Sequence, residues 1–496
     1  MNYNYLFSKN DATCFDILTM LNTRSDMRIS KHELNEQFDL TNYQLHKFFN
    51  SINADLMQVS GNEPAYLDES DNLHWQAFQV DTLLIQRVAL LYLNRSPLYV
   101  ALEYNFFYDN LYTQKEYVSA NYMSTSVFYR ASENLEKTLN AHHFYTASTL
   151  FADDEFTTRL HLFQLYYTVY NTVEVPFADL TNLVDRLIEV ISTILPKQLK
   201  PTQLTKLSIF LRVWLLRMNN HHILENVIFD SLNPDQSGKE LYSLIDDILV
   251  KGIKFNEAEF NYLYAFLLTQ GFLGESLQSG AATSLPTVVQ LSNQFIHNIL
   301  HQNILVQTSL INSDALWQRI LNIHLQFMTF FIEPTTFINP NQINFFSELY
   351  PAFDISIHQT IDELKQRRDL KIDQHMSVNL YFSYMFALIN SIPPELMKDQ
   401  VHICVDFSQG TLYTDYVIAS LQSFSHANII LDVLVTNKTD IYISDFHSPQ
   451  VHKQQVVWQD PPTSLDWTKL ADIILSVKKR KLSGVIPKES DGSETN

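Results

Sequence analysis

The run Ser124-Thr125-Ser126-Val127-Phe128-Tyr129-Arg130 carries residue types suited to gripping nucleic acid. Hydroxyls and a phenol can reach phosphate oxygens, and an arginine can take a guanine edge through two parallel hydrogen bonds. Ser124 reads as a helix N-cap, its hydroxyl accepting from a first-turn amide. Just before it, Thr113-Gln114-Lys115-Glu116 has the form of a capping box that opens a shorter helix, and a tight turn around Tyr122 and Met123 separates the two. Val118, Met123, Val127, Leu135 and Leu139 are spaced to face one small core, which leaves Ser124, Thr125, Ser126, Tyr129 and Arg130 outward. That is helix-turn-helix logic, in which one helix braces the backbone and the next enters the major groove. Lys137 lies on the same face as Arg130 and would steer to phosphate. Taken alone, Arg130 and Lys137 are a solvated helix face neutralised by Glu133 and Glu136. The brace helix and the serine-capped start turn the reading towards DNA.

A weaker copy of the pattern comes earlier. Ser30-Lys31-His32-Glu33 opens a helix to about residue 38, Asp39-Leu40 turns, and Thr41-Asn42-Tyr43-Gln44 opens a second helix to about residue 52. Ile29, Leu34, Leu40, Leu45, Phe48 and Ile52 would make the core. Asn42, Gln44 and Lys47 would be the surface residues that meet DNA. Residues 56–60, a Gly61-Asn62 turn and residues 73–75 suggest a hairpin wing.

These elements need a scaffold, and 496 residues at 46% hydrophobic content can build several cores. Glycine is scarce, 9 residues where average usage would give about 35, so much helix follows. A helix at 81–93 leads the second unit. From there to about residue 395 apolar residues recur at three- and four-residue steps, as in Leu180, Leu183, Val184, Leu187, Ile188 and Ile191. Turn signals at Pro196, Pro201, Asn233-Pro234-Asp235, Gly271, Gly280, Pro286, Pro334 and Pro340 divide this region into two bundles. After Pro393-Pro394 the pattern changes to strand (401–407), helix (412–422), strands (429–435, 441–444, 456–458) and a last helix (464–482), an α/β unit with a parallel sheet. The expected architecture is mostly α and multidomain. It comprises winged helix-turn-helix units at 1–78 and 79–165, helical bundles at 166–282 and 283–395, an α/β domain at 396–482 and a polar, disordered tail at 483–496.

A net charge of −20 excludes a simple nucleic-acid coat protein, and residues 1–150 also carry more acids than bases. DNA contact would therefore rest on a local basic surface, be salt-sensitive, and gain from dimerisation. Cys14 and Cys404 read as buried or idle thiols in a reducing cytoplasm. No secretory signal opens the chain, and the apolar run 204–218 is broken by Lys206, Arg212 and Arg217, so no membrane partner is expected. The chain has no Walker loop, dinucleotide fingerprint, nucleophile elbow or zincin spacing, so neither catalysis nor a metal or cofactor is expected. Ser408-Gln409-Gly410-Thr411, after the first strand of the α/β unit, could hold an anion on its amides. His324 sits within an amphipathic helix, where an exposed imidazole could accept a phosphoryl group.

The domain order and the motif at 124–130 resemble the Mga/AtxA family of regulators from Gram-positive bacteria. The resemblance implies a cytoplasmic transcription regulator, often an activator of virulence or surface-protein genes. It implies bundles of the phosphotransferase-system regulation type, a last domain like enzyme IIB, and phosphotransfer from a phosphocarrier protein. The family's histidine positions are taken here by Phe210, seven residues before Arg217, and by Phe266, seven after the Glu of Glu259-Phe260-Asn261-Tyr262. Phe407 takes the place of the enzyme IIB cysteine, leaving His324 as the one plausible phosphorylation site. The expected function is a homodimeric DNA-binding regulator responsive to sugar-transport status. The alternative is an interaction scaffold or phosphotransfer sensor without a DNA role.

Overall fold

The computed structural model describes residues 3–482 apart from 25, 62–63, 146–152, 172, 233, 250–252, 302–303, 335–341, 368–369, 371, 423–427 and 460. The expected tail at 483–496 and the turn residues Asn62, Asn233 and Pro340 lie outside the described residues. Among the described residues the chain is mostly helical, 64% in 20 helices, with a small antiparallel sheet and a parallel sheet of four strands. It divides into two compact units, 1–275 and 276–496.

Unit 1 begins with α1 (Lys9–Asn22), β1 (Arg28–Ser30), α2 (Lys31–Phe38), α3 (Asn42–Val59), β2 (Tyr66–Asp71) and β3 (His74–Phe78). Then come α4 (Thr82–Asn94), α5 (Pro97–Glu103), which runs on as a π-helical turn Tyr104–Tyr108, α6 (Gln114–Ala120) and α7 (Thr125–Ala141). The remaining helices are α8 (Asp154–Val169), α9 (Thr181–Ser192), α10 (Pro201–Asn219), α11 (Gln236–Ile248) and α12 (Glu257–Thr269), while α13 (Glu275–Thr283) starts at the division and belongs, but for its first residue, to unit 2. The boundaries expected at residues 165 and 282 both fall inside helices, α8 and α13.

Local chemistry sets the starts of these helices. Ser30 accepts from the Glu33 amide, and Thr41 with Gln44 forms a reciprocal capping box. Between them Asp39 takes a left-handed turn at φ 50°, a conformation that aspartate tolerates better than most residues. Two details of this region differ from expectation. α3 does not stop near residue 52. Leu45, Phe49, Ile52 and Leu56 continue one buried ladder to its end, so residues 56–60 finish a helix rather than start a hairpin. Phe49, stacked on Trp75 at 3.8 Å, fills the core position expected for Phe48. The hairpin is β2–β3, with β1 adding to β3 on its other side. Asn53 fixes its height against α3 by donating to the Leu67 carbonyl (2.8 Å) and accepting from the Leu67 amide (2.7 Å). Arg95, at the end of α4, bonds Asp11 of α1 (3.0 Å) and Asp55 of α3 (2.8 Å) and ties the three helices together.

Unit 2 contains α14 (Pro286–His301), α15 (Ser313–Met328), α16 (Gln342–Leu349), α17 (Pro351–Lys365) and α18 (Gln374–Ile389). It continues with β4 (Val401–Val405), α19 (Thr411–Gln422), β5 (Ile429–Asp432), β6 (Ile441–Ser444), β7 (Gln454–Val457) and α20 (Ser464–Leu482). The strands are all parallel in the order β5-β4-β6-β7. Val401, Ile403, Val405, Ile441 and Ile443 pack with Val417 and Leu421 of α19 and with Leu470, Ile474 and Val477 of α20 in one core. β5 ends at Asp432, short of the expected residue 435. The Asp432 carboxylate takes hydrogen bonds from Thr439 (2.7 Å) and the His402 ring (2.9 Å), and Val433 and Leu434 beyond it are exposed. The Lys478 ammonium of α20, itself buried, meets Asp399 at 3.2 Å and the Leu349 carbonyl at 2.7 Å. Among the described residues no helix is long and apolar enough to cross a membrane.

Candidate nucleic-acid interface

α6 and α7 begin as local chemistry dictates. Thr113 and Glu116 make a reciprocal capping box on α6, and the Ser124 hydroxyl accepts from the Val127 amide at 3.4 Å to start α7. Between the helices Tyr122 sits in the left-handed region at φ 51°, and the Met123 amide donates back to the Val118 carbonyl at 3.1 Å. The tyrosine side chain at this turn is 99% exposed.

Phe128, Ala131, Leu135 and Leu139 form the buried stripe of α7. Val127 and Met123, expected in that core, are only half-buried. The stripe keeps Leu135 and Leu139 as expected but takes Phe128, its largest member, in place of Val127. The Tyr104 ring, on the π turn, meets Phe128 edge-on at 5.6 Å and Tyr117 of α6 at 5.1 Å. One aromatic thus packs against both helices.

This exchange keeps the outward set together. Ser124, Thr125, Ser126, Tyr129 and Arg130 are all exposed, at the cap and on the first turn and a half of α7. The Ser124 and Ser126 hydroxyls are 3.4 Å apart, and Arg130 Nε donates to the Ser126 carbonyl at 3.3 Å. Lys137 is exposed on the same helix, about 10 Å further along its axis. On α3, Asn42, Gln44 and Lys47 are exposed as well. Gln44 is committed to the cap, its carbonyl accepting from the Thr41 amide and hydroxyl at 2.9 Å each, and Asn42 accepts from Asn35 at 2.7 Å. Among the described residues Lys47 has no side-chain hydrogen-bond or ion-pair partner.

A buried polar network joins this module to the helices behind it. Arg217 and Asn220, at the end of α10, both donate to the Phe106 carbonyl on the π turn, the latter at 3.3 Å, and Asn220 also donates to Asp109 at 2.8 Å. The Asn110 amide donates to the Asn220 side chain at 3.0 Å. Arg217 is also paired with Glu155 of α8, which contacts Arg159, which is clasped by Glu259 of α12 at 2.7 and 2.8 Å. Arg217 and Glu259 stand out in the sequence, but no motif links them to Glu155, Arg159 or Asn220, because the partners are scattered over three helices and a turn.

His324 is not the exposed acceptor that its place in an amphipathic helix suggests. It is 1% exposed, with Nδ1 2.8 Å from the Ser292 hydroxyl and Nε2 2.6 Å from the Tyr384 hydroxyl. Ser292 gives its own proton to the Val288 carbonyl at 2.7 Å. Nδ1 must then carry the ring proton, and Nε2 accepts from Tyr384. Both nitrogens are engaged, and burial pushes the imidazole down to about 3. A histidine whose folded value lies below its unfolded value loses stabilisation as the unfolded chain gains its proton. Unit 2 should therefore weaken as pH falls from about 6.5 towards 3, and His324→Gln should flatten that decline. Unfolding midpoints of both proteins between pH 7 and 4 check this; parallel curves would refute it.

Phe210 and Phe266 stack on each other at 3.6 Å with planes 10° apart. Phe407 is buried in the α/β core, and Cys404 is buried inside β4 with its thiol pushed up to about 11 by burial and by Asp406 and Asp432. The loop after β4, a candidate anion site, already holds a carboxylate. The Ser408 amide donates to Asp445 at 3.1 Å, and its hydroxyl bonds the other oxygen.

No protein-family model matches the sequence, and a search of curated proteins finds no match.

Proposed function

We propose that the chain is a DNA-binding transcription regulator and that α7 is its recognition helix. The observation that carries this reading is the split character of α7. Phe128, Ala131, Leu135 and Leu139 anchor it, while Ser124, Thr125, Ser126, Tyr129 and Arg130 stand exposed at its N-terminal end behind the brace helix α6. The helices α2 and α3 with the β2–β3 hairpin fit a winged helix-turn-helix, in which Lys47 would add a phosphate contact. A chain of net charge −20 gains most from binding as a homodimer, which doubles the phosphate contacts. A DNA role implies a cytoplasmic protein. The resemblance adds control of virulence or surface-protein genes as the target class. Phe210, Phe266 and Phe407 have no atom that can accept a phosphoryl group and His324 is sealed in a core, so this reading needs no phosphocarrier protein.

Arg130→Ala combined with Lys137→Ala should weaken binding to a promoter fragment by about tenfold or more. The salt slope should fall by about 0.9 for each phosphate that the protein no longer neutralises. A filter-binding titration at several salt concentrations measures both. Unchanged affinity and slope would remove α7 from the interface. The acidic charge balance favours one other reading, an interaction scaffold. Such a protein would retain no promoter DNA above competitor at low salt.

A further inference from the structure

α11 and α12 border an open cavity of roughly 500 Å³ in unit 1, lined by Pro234, Lys239, Tyr242, Glu257 and Phe260. The two helices contribute in the same way. α11 offers a charge and, three residues on, a ring (Lys239, Tyr242), and α12 does likewise with the opposite charge (Glu257, Phe260). Residues three apart share a helix face, so each helix turns one ion and one ring to the same space. Lys239 and Glu257 are exposed, Tyr242 is half-buried and Phe260 is buried, which puts the charges at the mouth and the rings at the floor. Tyr242 and Phe260 meet edge to face at 5.2 Å, and Phe255 stacks behind Tyr242 at 5.0 Å.

Among the described residues neither Lys239 nor Glu257 has an ion-pair or side-chain hydrogen-bond partner, and they do not pair with each other. The wall between them is tightly packed. A methyl group added at Gly238 would come within 2.6 Å of Pro234 Cβ and 2.7 Å of the Tyr264 ring.

A ligand that satisfies this site needs four things at once: an anionic group for Lys239, a cationic group for Glu257, and two faces of a flat apolar body. A simple anion would meet repulsion from Glu257, a simple amine from Lys239, and a neutral sugar would gain nothing from either charge. The volume falls within the range of small-molecule pockets. We infer that the cavity between α11 and α12 binds a free aromatic α-amino acid, its zwitterionic head between Lys239 and Glu257 and its ring against Tyr242 and Phe260. Such binding does not depend on a DNA role for the chain.

Calorimetric titration of the full chain tests it with L-phenylalanine, 2-phenylethylamine, 3-phenylpropionate and L-alanine as probes. L-Phenylalanine should bind saturably with one site per chain, and more tightly than each of the other three. Lys239→Met and Glu257→Gln, both at exposed positions that the fold tolerates, should each weaken L-phenylalanine by about tenfold, the size expected for removing one charge pairing. Lys239→Met should tighten the amine's weak binding by removing the repulsion, and Glu257→Gln should do the same for the propionate. No saturable heat up to about 10 mM, equal affinity for L-phenylalanine and either one-charge analogue, or undiminished binding by both variants would each overturn the inference.

Discussion

Glu259→Gln should destabilise unit 1 by about 3–5 kcal/mol, the usual result of breaking a buried ion pair from one side. The Glu259 carboxylate is fully buried and takes four hydrogen bonds. Arg159 donates to both oxygens at 2.7 and 2.8 Å, Trp214 Nε1 to one at 2.8 Å and the Leu224 amide to the other at 2.7 Å. Each oxygen therefore faces two donors. A glutamine fits the same space, but its amide nitrogen must oppose two N–H groups whichever way it flips, and the Arg159 charge is left without its partner. Denaturant unfolding of the full chain, with hydrogen exchange resolved to α8, α10 and α12, measures the destabilisation. A change below about 1 kcal/mol, the worth of one ordinary hydrogen bond, would show that the network does not hold these helices together.

The same network has an acid limit. Burial opposes ionisation of Glu155, but the hydrogen bond and charge of Arg217, with Arg159 behind them, outweigh it and hold the carboxyl below the usual glutamate range. A lowered carboxylate stabilises the fold above its unfolded value, and the benefit fades as pH falls through the folded one. The Glu259→Gln comparison therefore belongs near neutral pH, where Glu155 is ionised in both proteins.

Phe128→Ala should cost about 3–5 kcal/mol, in the range for emptying a buried phenylalanine site. Phe128 is 0% exposed, and its ring contact with Tyr104 is one of the links that hold α7 to the π turn. The effect should concentrate in residues 97–141, where hydrogen exchange would speed up while unit 2 keeps its protection. DNA binding should fall with it, because the exposed residues of α7 depend on this anchor for their direction. Unaltered exchange in α7 would mean that other contacts hold the helix and that Phe128 does not orient it.

Some of this is legible in the sequence because it is decided within a few residues. The caps at Ser30, Thr41, Thr113 and Ser124 each act on an amide three residues on, and all four occur as the sequence implies. The last helix runs over Ser464–Leu482, matching the expected 464–482, and β6 matches the expected 441–444, whereas β4 and β5 end early, at Val405 and Asp432, and β7 is shifted to Gln454–Val457. Helical period is legible too, and Leu45, Ile52, Leu135 and Leu139 are buried as expected, but single core positions are not. Phe128 rather than Val127 and Phe49 rather than Phe48 fill the cores, and in both cases two neighbouring apolar residues satisfy a seven-residue pattern almost equally. What breaks the tie is the partner, Tyr104 for one and Trp75 for the other.

Composition and local pattern thus determined the mostly helical class, the helix starts, the parallel strands and an exposed serine-rich helix start at residue 124. Only tertiary structure decided that His324 is sealed under Tyr384, that Asp445 fills the loop after β4, and that Arg159 and Glu259, 100 residues apart, share one buried pair. The division has a physical cause. A cap or a period is an energy between near neighbours along the chain, whereas burial and ion pairing are set by whichever distant segments the folded core brings together.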